Sequence, residues 1–146
     1  AKNDGWKISG VEPSIQATNL ASNKDIKLYQ SVDDLKDKLF DVITLWHVLE
    51  HIPDLEDQIK NLKRLLKRDG HILIAVPNFR SYDAKYYGEF WAAFDVPRHL
   101  WHFSKSAISR LFLKENMLVE KVLPMKFDSF YVVCFQKNTK MDQTII

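Results

Sequence analysis

The sequence predicts an α/β fold, and three observations carry that expectation. Residues 39–46, Leu-Phe-Asp-Val-Ile-Thr-Leu-Trp, form a nearly unbroken run of β-branched and large apolar side chains, as a parallel strand covered on both faces requires. From Asp54 to Arg68 the apolar residues Leu55, Ile59, Leu62, Leu65 and Leu66 recur at the spacing of one helical face. Residues 71–76, His-Ile-Leu-Ile-Ala-Val, are a second buried-strand run, so strand, helix and strand succeed one another at the length of a parallel crossover.

The remaining elements follow along the chain. Trp6 to Val11 begins by alternating apolar and polar residues, which predicts a short strand ended by Glu12-Pro13-Ser14. Ser14 is placed to cap a short helix over about 15–23, and residues 26–29 again suit a strand. Asp54 is the expected N-cap of the 54–68 helix, and Gly70 stands just past its end. Pro77 and Asn78 stop the strand at 71–76. Ser104 caps a helix carrying Ala107, Ile108, Leu111 and Phe112, ending near Asn116. Residues 118–123 and 127–135 are strands, and the short Pro124-Met125-Lys126 connection predicts an antiparallel hairpin that closes the sheet. No repeat and no domain boundary interrupts 1–146, so one domain is expected.

Composition narrows the classes. The longest apolar run, Phe130 to Phe135, is six residues, against the roughly 20 that cross a bilayer, so no membrane partner is expected. One cysteine, Cys134, cannot form an internal disulfide, which suits a reducing, cytoplasmic compartment. Twenty-one basic residues against nineteen acidic ones lack the concentrated positive stripe that nucleic acid demands. Residue 1 is alanine and the chain enters almost at once a strand-like stretch, so a longer parent is expected.

Four features could carry chemistry. Glu12 sits at the carboxyl end of the first strand, where a carboxylate can accept both hydroxyls of a ribose; alone, it is as readily a turn residue or a helix-dipole partner. His47-x-x-Glu50-His51 has the spacing of an inverted zinc-peptidase motif, but Pro53 breaks the helix such a motif needs and no third ligand follows, so that reading is rejected. In Asp95-Val96-Pro97-Arg98-His99-Leu100-Trp101-His102, two imidazoles lie among aromatic rings, and His99 and His102 are equal candidates for removing a proton near neutral pH. Finally, residues 77–103 hold nine of the eighteen aromatics without a helical or strand period. They read either as a satellite core or, as preferred here, as a lid leaving the carboxyl end of a strand.

Gly10-Val11-Glu12-Pro13-Ser14, Phe40 to His51, and Leu62 to Gly70 running into Ile72 to Asn78 resemble, in order and spacing, the successive motifs of the class I S-adenosylmethionine-dependent methyltransferases. The similarity spans most of residues 5–135. Asp95-Val96-Pro97-Arg98-His99-Leu100 points within that superfamily to the small-molecule branch that includes ubiquinone-biosynthesis-like enzymes.

The resemblance implies a Rossmann-like methyltransferase sheet with a C-terminal antiparallel hairpin, and S-adenosylmethionine as cofactor. It implies that Glu12 binds the cofactor's ribose, that Ser31 and Val32 flank the adenine, and that Leu45, Trp46 and His47 line the methionine and sulfonium side. An acid often stands at the position of Ser31. In ubiquinone-type relatives the positions matching His47, Glu50, His51 and Asn78 lie around a divalent cation, with a glutamate where this chain has His47, so no metal is assigned. The family's first strand and its Gly-rich turn are missing, which predicts unpaired edges on strands 7–11 and 42–46, poor cofactor binding by these 146 residues, and association with a second chain as a means of covering those edges. The implied reaction is methyl transfer to an oxygen or nitrogen of a small molecule. A nicotinamide-dependent oxidoreductase or a catalytically inactive interaction domain of the same fold are the alternatives.

Overall fold

The computed structural model describes residues 2–21, 26–36, 38–125 and 130–137, which fall into two compact units, 1–38 and 39–146. In the first unit, strand β1 (Ser9–Val11) pairs in parallel with β2 (Lys27–Tyr29), Gly10 opposite Leu28, and helix α1 (Ile15–Ala21) lies between them in sequence. Gly10 leaves room that a side chain would take, since a Cβ there would stand 2.8 Å from the Leu28 side chain. The strand predicted from Trp6 shortens to three residues, and the expected end of α1 at 22–23 lies outside the described residues. Leu35 is the one apolar residue buried among the described residues of this unit.

The second unit holds a four-stranded sheet in the order β3-β4-β6-β5. Strand β3 (Phe40–Trp46) runs parallel to β4 (Leu66–Pro77), and the crossover between them contains helix α2 (Leu55–Leu65), as predicted. Helix α3 (Tyr82–Tyr87) and helix α4 (Lys105–Leu113) lead to β5 (Met117–Pro124) and β6 (Phe130–Lys137), an antiparallel pair in which β6 also flanks β4. The predicted start of the last strand at 127–129 lies outside the described residues. Among the described residues β3 has one neighbour in the sheet, β4, and β1 likewise has only β2.

Helix α2 forms because its apolar residues share a face and its first turn is capped. Leu55, Ile59, Leu62 and Leu65 are buried, and an Asp54 carboxylate oxygen accepts the Asp57 N–H at 2.9 Å. The helix ends three residues before the predicted Arg68. Leu66 is already extended and pairs with Phe40, while the Lys67 ammonium reaches both carboxylate oxygens of Asp41 at 2.9 Å. Gly70 therefore does not cap a helix. It lies within β4, where a Cβ would meet the Leu66 side chain at 2.8 Å and the Asp41 carbonyl oxygen at 3.0 Å. Helix α4 ends at Leu113, three residues before Asn116, which adopts a left-handed φ of 54°.

The core joins α2 and α4 to the sheet. Phe112 and Phe135, both fully buried, stack with ring centroids 3.9 Å apart, beside Ile59, Leu66, Ile72, Ile74, Ile108 and Met117. No helix among the described residues is long and apolar enough to cross a membrane.

Candidate active site

In the second unit the site is built where β3 ends. Leu45 points into the core, so its side chain is spent on packing, whereas Trp46 is exposed and His47 is half-buried. His47 turns the chain with a φ of 54° while its N–H donates to the Ala75 carbonyl at 3.0 Å, which holds the turn against the parallel neighbour. A 3-10 turn, Leu49–His51, then drives both Leu49 and Glu50 inward.

That turn anchors the aromatic segment. The Glu50 carbonyl accepts the N–H groups of Leu100 and Trp101 at 2.9 and 3.3 Å, and the Trp101 indole N–H donates to the Ile52 carbonyl at 2.7 Å. At its other end the segment is held to β4, since Phe79 N–H donates to the Phe103 carbonyl at 3.1 Å and Asn78 bridges Phe103. Residues 77–103 thus leave the carboxyl end of β4 and return beside the carboxyl end of β3, the rim on which a lid was expected. Structure appears inside the segment that its lack of period concealed: α3 and the 3-10 turns Gly88–Phe90 and Ala92–Phe94. Trp91 is buried outside the main core, edge-on to Phe94, and Phe103 joins the main core, while Tyr82, Tyr86, Tyr87 and Phe90 face solvent.

The structure separates the two histidines that sequence left equivalent. His99 is 10% exposed; its Nδ1 lies 2.9 Å from the Ala93 carbonyl, and its Nε2 faces the carboxylates of Asp95 at 3.8 Å and Glu50 at 4.0 Å. His102 is exposed, packs edge-on against Phe94 and holds the Phe94 carbonyl through Nε2 at 2.9 Å. A carbonyl oxygen only accepts, so this nitrogen carries the proton and Nδ1 is the basic atom of the ring. Asp95 itself is fixed by a two-donor grip from Arg98, at 2.6 and 3.0 Å.

Glu50 entered the sequence reading only within the rejected zinc-peptidase spacing and among the cation positions of ubiquinone-type relatives. Its side chain is 0% exposed, and neither carboxylate oxygen has a hydrogen-bond donor among the described residues. Nδ1 of His47 stands 3.4 Å from Oε1. No metal was assigned from sequence, yet one ligand atom each of Glu50, His51 and His99 come within 4.8 Å of one another. The motif His47-x-x-Glu50-His51 drew attention to the first two and the aromatic stretch to His99 as a base, but nothing in the sequence placed His99 beside Glu50.

In the first unit, Glu12 follows β1 directly. Its N–H donates to the Tyr29 carbonyl at 2.8 Å, and its Oε1 accepts the Ser14 N–H at 2.8 Å. One carboxylate oxygen is therefore used locally, and a carboxylate retains further acceptor sites, which fits a sugar diol. Ser31 is engaged in a capping box: its hydroxyl accepts from Asp33 N–H and its own N–H donates to the Asp34 carboxylate. Val32, half-buried, opens the 3-10 turn that Ser31 caps.

Cys134 is not a nucleophile at neutral pH. Burial, reinforced by the Glu120 carboxylate that its thiol meets at 3.4 Å, pushes it up to about 11.

A family model described as methyltransferase domain matches residues 1–121. The chain belongs to that family. Membership bears out the resemblance to the class I S-adenosylmethionine-dependent methyltransferases, and with it the enzyme class and the cofactor, over the nicotinamide alternative. Solved structures agree in fold. A SAM-dependent methyltransferase from Thermotoga maritima, described as a possible histamine N-methyltransferase, superposes with a TM-score of 0.71 at 19% identity, over 90% of this chain and 73% of that one. The Burkholderia thailandensis 1,6-didemethyltoxoflavin-N1-methyltransferase, with 1,6-didemethyltoxoflavin and S-adenosylhomocysteine bound, gives 0.68 at 16%, over 93% and 63%. An S-adenosylmethionine-dependent methyltransferase from Clostridium acetobutylicum gives 0.66 at 13%, over 88% and 74%. At these identities the likeness is one of fold. No curated protein matches the chain.

Proposed function

We propose that this methyltransferase domain moves the methyl group of S-adenosylmethionine to an oxygen or nitrogen of a small molecule, as in the branch that includes ubiquinone-biosynthesis-like enzymes. The observation that carries the reading is the aromatic segment 77–103, tied to the carboxyl-end rim of β3 and β4 where Trp46 and His47 emerge. Ligands of open α/β sheets bind on that rim, and an aromatic cover suits a flat acceptor or a cationic sulfonium. The small acceptor bound in the Burkholderia thailandensis enzyme supports the same substrate class.

When bound, S-adenosylmethionine supplies a methyl group already activated by its sulfonium charge. The residues here have the remaining tasks. Glu12 receives the ribose hydroxyls; Ser31 and Val32 flank the adenine; Trp46 and His47, with the backbone of Leu45, line the methionine side. His102 takes the acceptor's proton through Nδ1, because that nitrogen keeps its lone pair while Nε2 is held by Phe94. Most of the acceleration then comes from holding nucleophile and methyl in line.

A test that reads weak as well as strong binding decides the cofactor assignments. Saturation-transfer NMR with S-adenosylhomocysteine should show transfer to ribose and adenine protons, with the ribose signal lost in Glu12→Gln. No transfer at all, or an undiminished ribose signal in the variant, overturns the assignment.

A further inference from the structure

Glu50 presents a carboxylate that is wholly buried and has no hydrogen-bond donor for either oxygen among the described residues. A buried charge of this kind is costly unless a positive group stands near it. No lysine or arginine among the described residues pairs with it; the nitrogens that approach Oε1 are Nδ1 of His47 at 3.4 Å and Nε2 of His99 at 4.0 Å. The two rings differ in where they lead. His99 is 10% exposed and directs Nδ1 to the Ala93 carbonyl at 2.9 Å, so it is committed to its own segment. His47 is 39% exposed and turns at the carboxyl end of β3 with its Nδ1 toward Glu50. Asp95, which also faces His99, is answered by the Arg98 guanidinium at 2.6 and 3.0 Å. Glu50 is thus the carboxylate at this rim that no guanidinium or ammonium offsets among the described residues, and it lies beneath the imidazole of His47.

We infer that Glu50 selects for charge at the cofactor's sulfur: acting through His47, its carboxylate favours the methylated sulfonium over the neutral thioether left after transfer. The inference rests on the reading that His47 lines the methionine side, and adds to it a reason for the product to leave. Methyl transfer removes one positive charge from the cofactor. An anion fixed nearby therefore discriminates between cofactor and product although the two share every group except that methyl. Burial strengthens the effect, because the field of a charge enclosed by protein is little screened by water or salt. An imidazole with one nitrogen toward a carboxylate is polarised so that its far edge is richer in electrons, which is how His47 passes the charge on. Glu50 is wholly buried and works through that ring, so it determines specificity and is not itself a catalytic residue.

The test compares dissociation constants, by NMR titration without acceptor, for S-adenosylmethionine, S-adenosylhomocysteine and sinefungin, which carries an ammonium where the cofactor has its methylated sulfonium. In the unsubstituted chain the two cationic ligands should bind about tenfold tighter than S-adenosylhomocysteine. That ratio should persist in about 0.3 M sodium chloride, where exposed charges are screened. Glu50→Gln, which keeps the shape and removes the charge, should bring the ratio toward one while S-adenosylhomocysteine affinity stays largely unchanged. Glu120→Gln, which removes an exposed carboxylate from β5, should leave the ratio as it is. A ratio near one in the unsubstituted chain, a ratio abolished by salt, or an unaltered ratio in Glu50→Gln would each overturn the role of Glu50 and leave the cofactor reading in place; the first two require no variant to fold. Absence of binding by all three ligands overturns the cofactor reading and this inference with it.

Discussion

At the scale of the residue, function turns on which nitrogen of each histidine is engaged. His99 and His102 stand three positions apart in one aromatic stretch, and in sequence they are interchangeable candidates for a base. In the fold they part: His99 turns both nitrogens toward protein groups, and His102 leaves Nδ1 as the lone-pair atom of an exposed ring. His102→Ala should therefore lower methyl-transfer turnover by about 10² or more, the usual scale of a general base, with little change in cofactor affinity. An unchanged kcat in a steady-state assay would remove the base. Glu50 shows the converse case. Its sequence neighbourhood drew attention to a motif, but only the fold shows its carboxylate wholly buried, 3.4 Å from Nδ1 of His47.

At the scale of the element, the join between α2 and β4 shows how pairing overrides local signals. Helical periodicity extends through Leu66, and Gly70 stands where a helix-ending glycine belongs. The chain nevertheless becomes a strand at Leu66, because its pairing with Phe40 and the Lys67–Asp41 ion pair draw this stretch onto β3. Gly70 is then required by close approach rather than by a left-handed turn. Gly70→Ala should cost about 1–3 kcal/mol, the range of overpacking, read as a lower urea midpoint at unchanged m-value. Gly70→Asn discriminates the two roles: a left-handed cap tolerates asparagine, whereas the crowding against Leu66 and Asp41 should make it no better than alanine.

At the scale of the whole molecule, apolar burial is distributed unevenly between the two units. The second unit holds the stacked Phe112 and Phe135 and a core running through α2, α4 and the sheet; among its described residues the first unit buries one apolar residue, Leu35. Local opening free energy follows buried contacts. In native-state hydrogen exchange the amides of 71–75 in β4, paired on both sides, should be the most protected, and those of 9–11 and 27–29 should exchange orders of magnitude faster. Comparable protection in both sets would contradict this account of where stability resides.

The sequence by itself determined the kinds and order of elements, the parallel crossover, the closing antiparallel pair and the methyltransferase family, because periodicity and short motifs are local and survive in one dimension. It also marked Glu12 and His47 as residues that follow strands and Trp46 as the last residue of one. Tertiary structure alone decided where α2 stops, why residue 70 is glycine, that Leu45 faces the core, and that Glu50, His51 and His99 meet. Those outcomes depend on which chain segments become neighbours, and two residues 49 positions apart carry no shared local signal until backbone hydrogen bonds from Leu100 and Trp101 bring the segment back to Glu50.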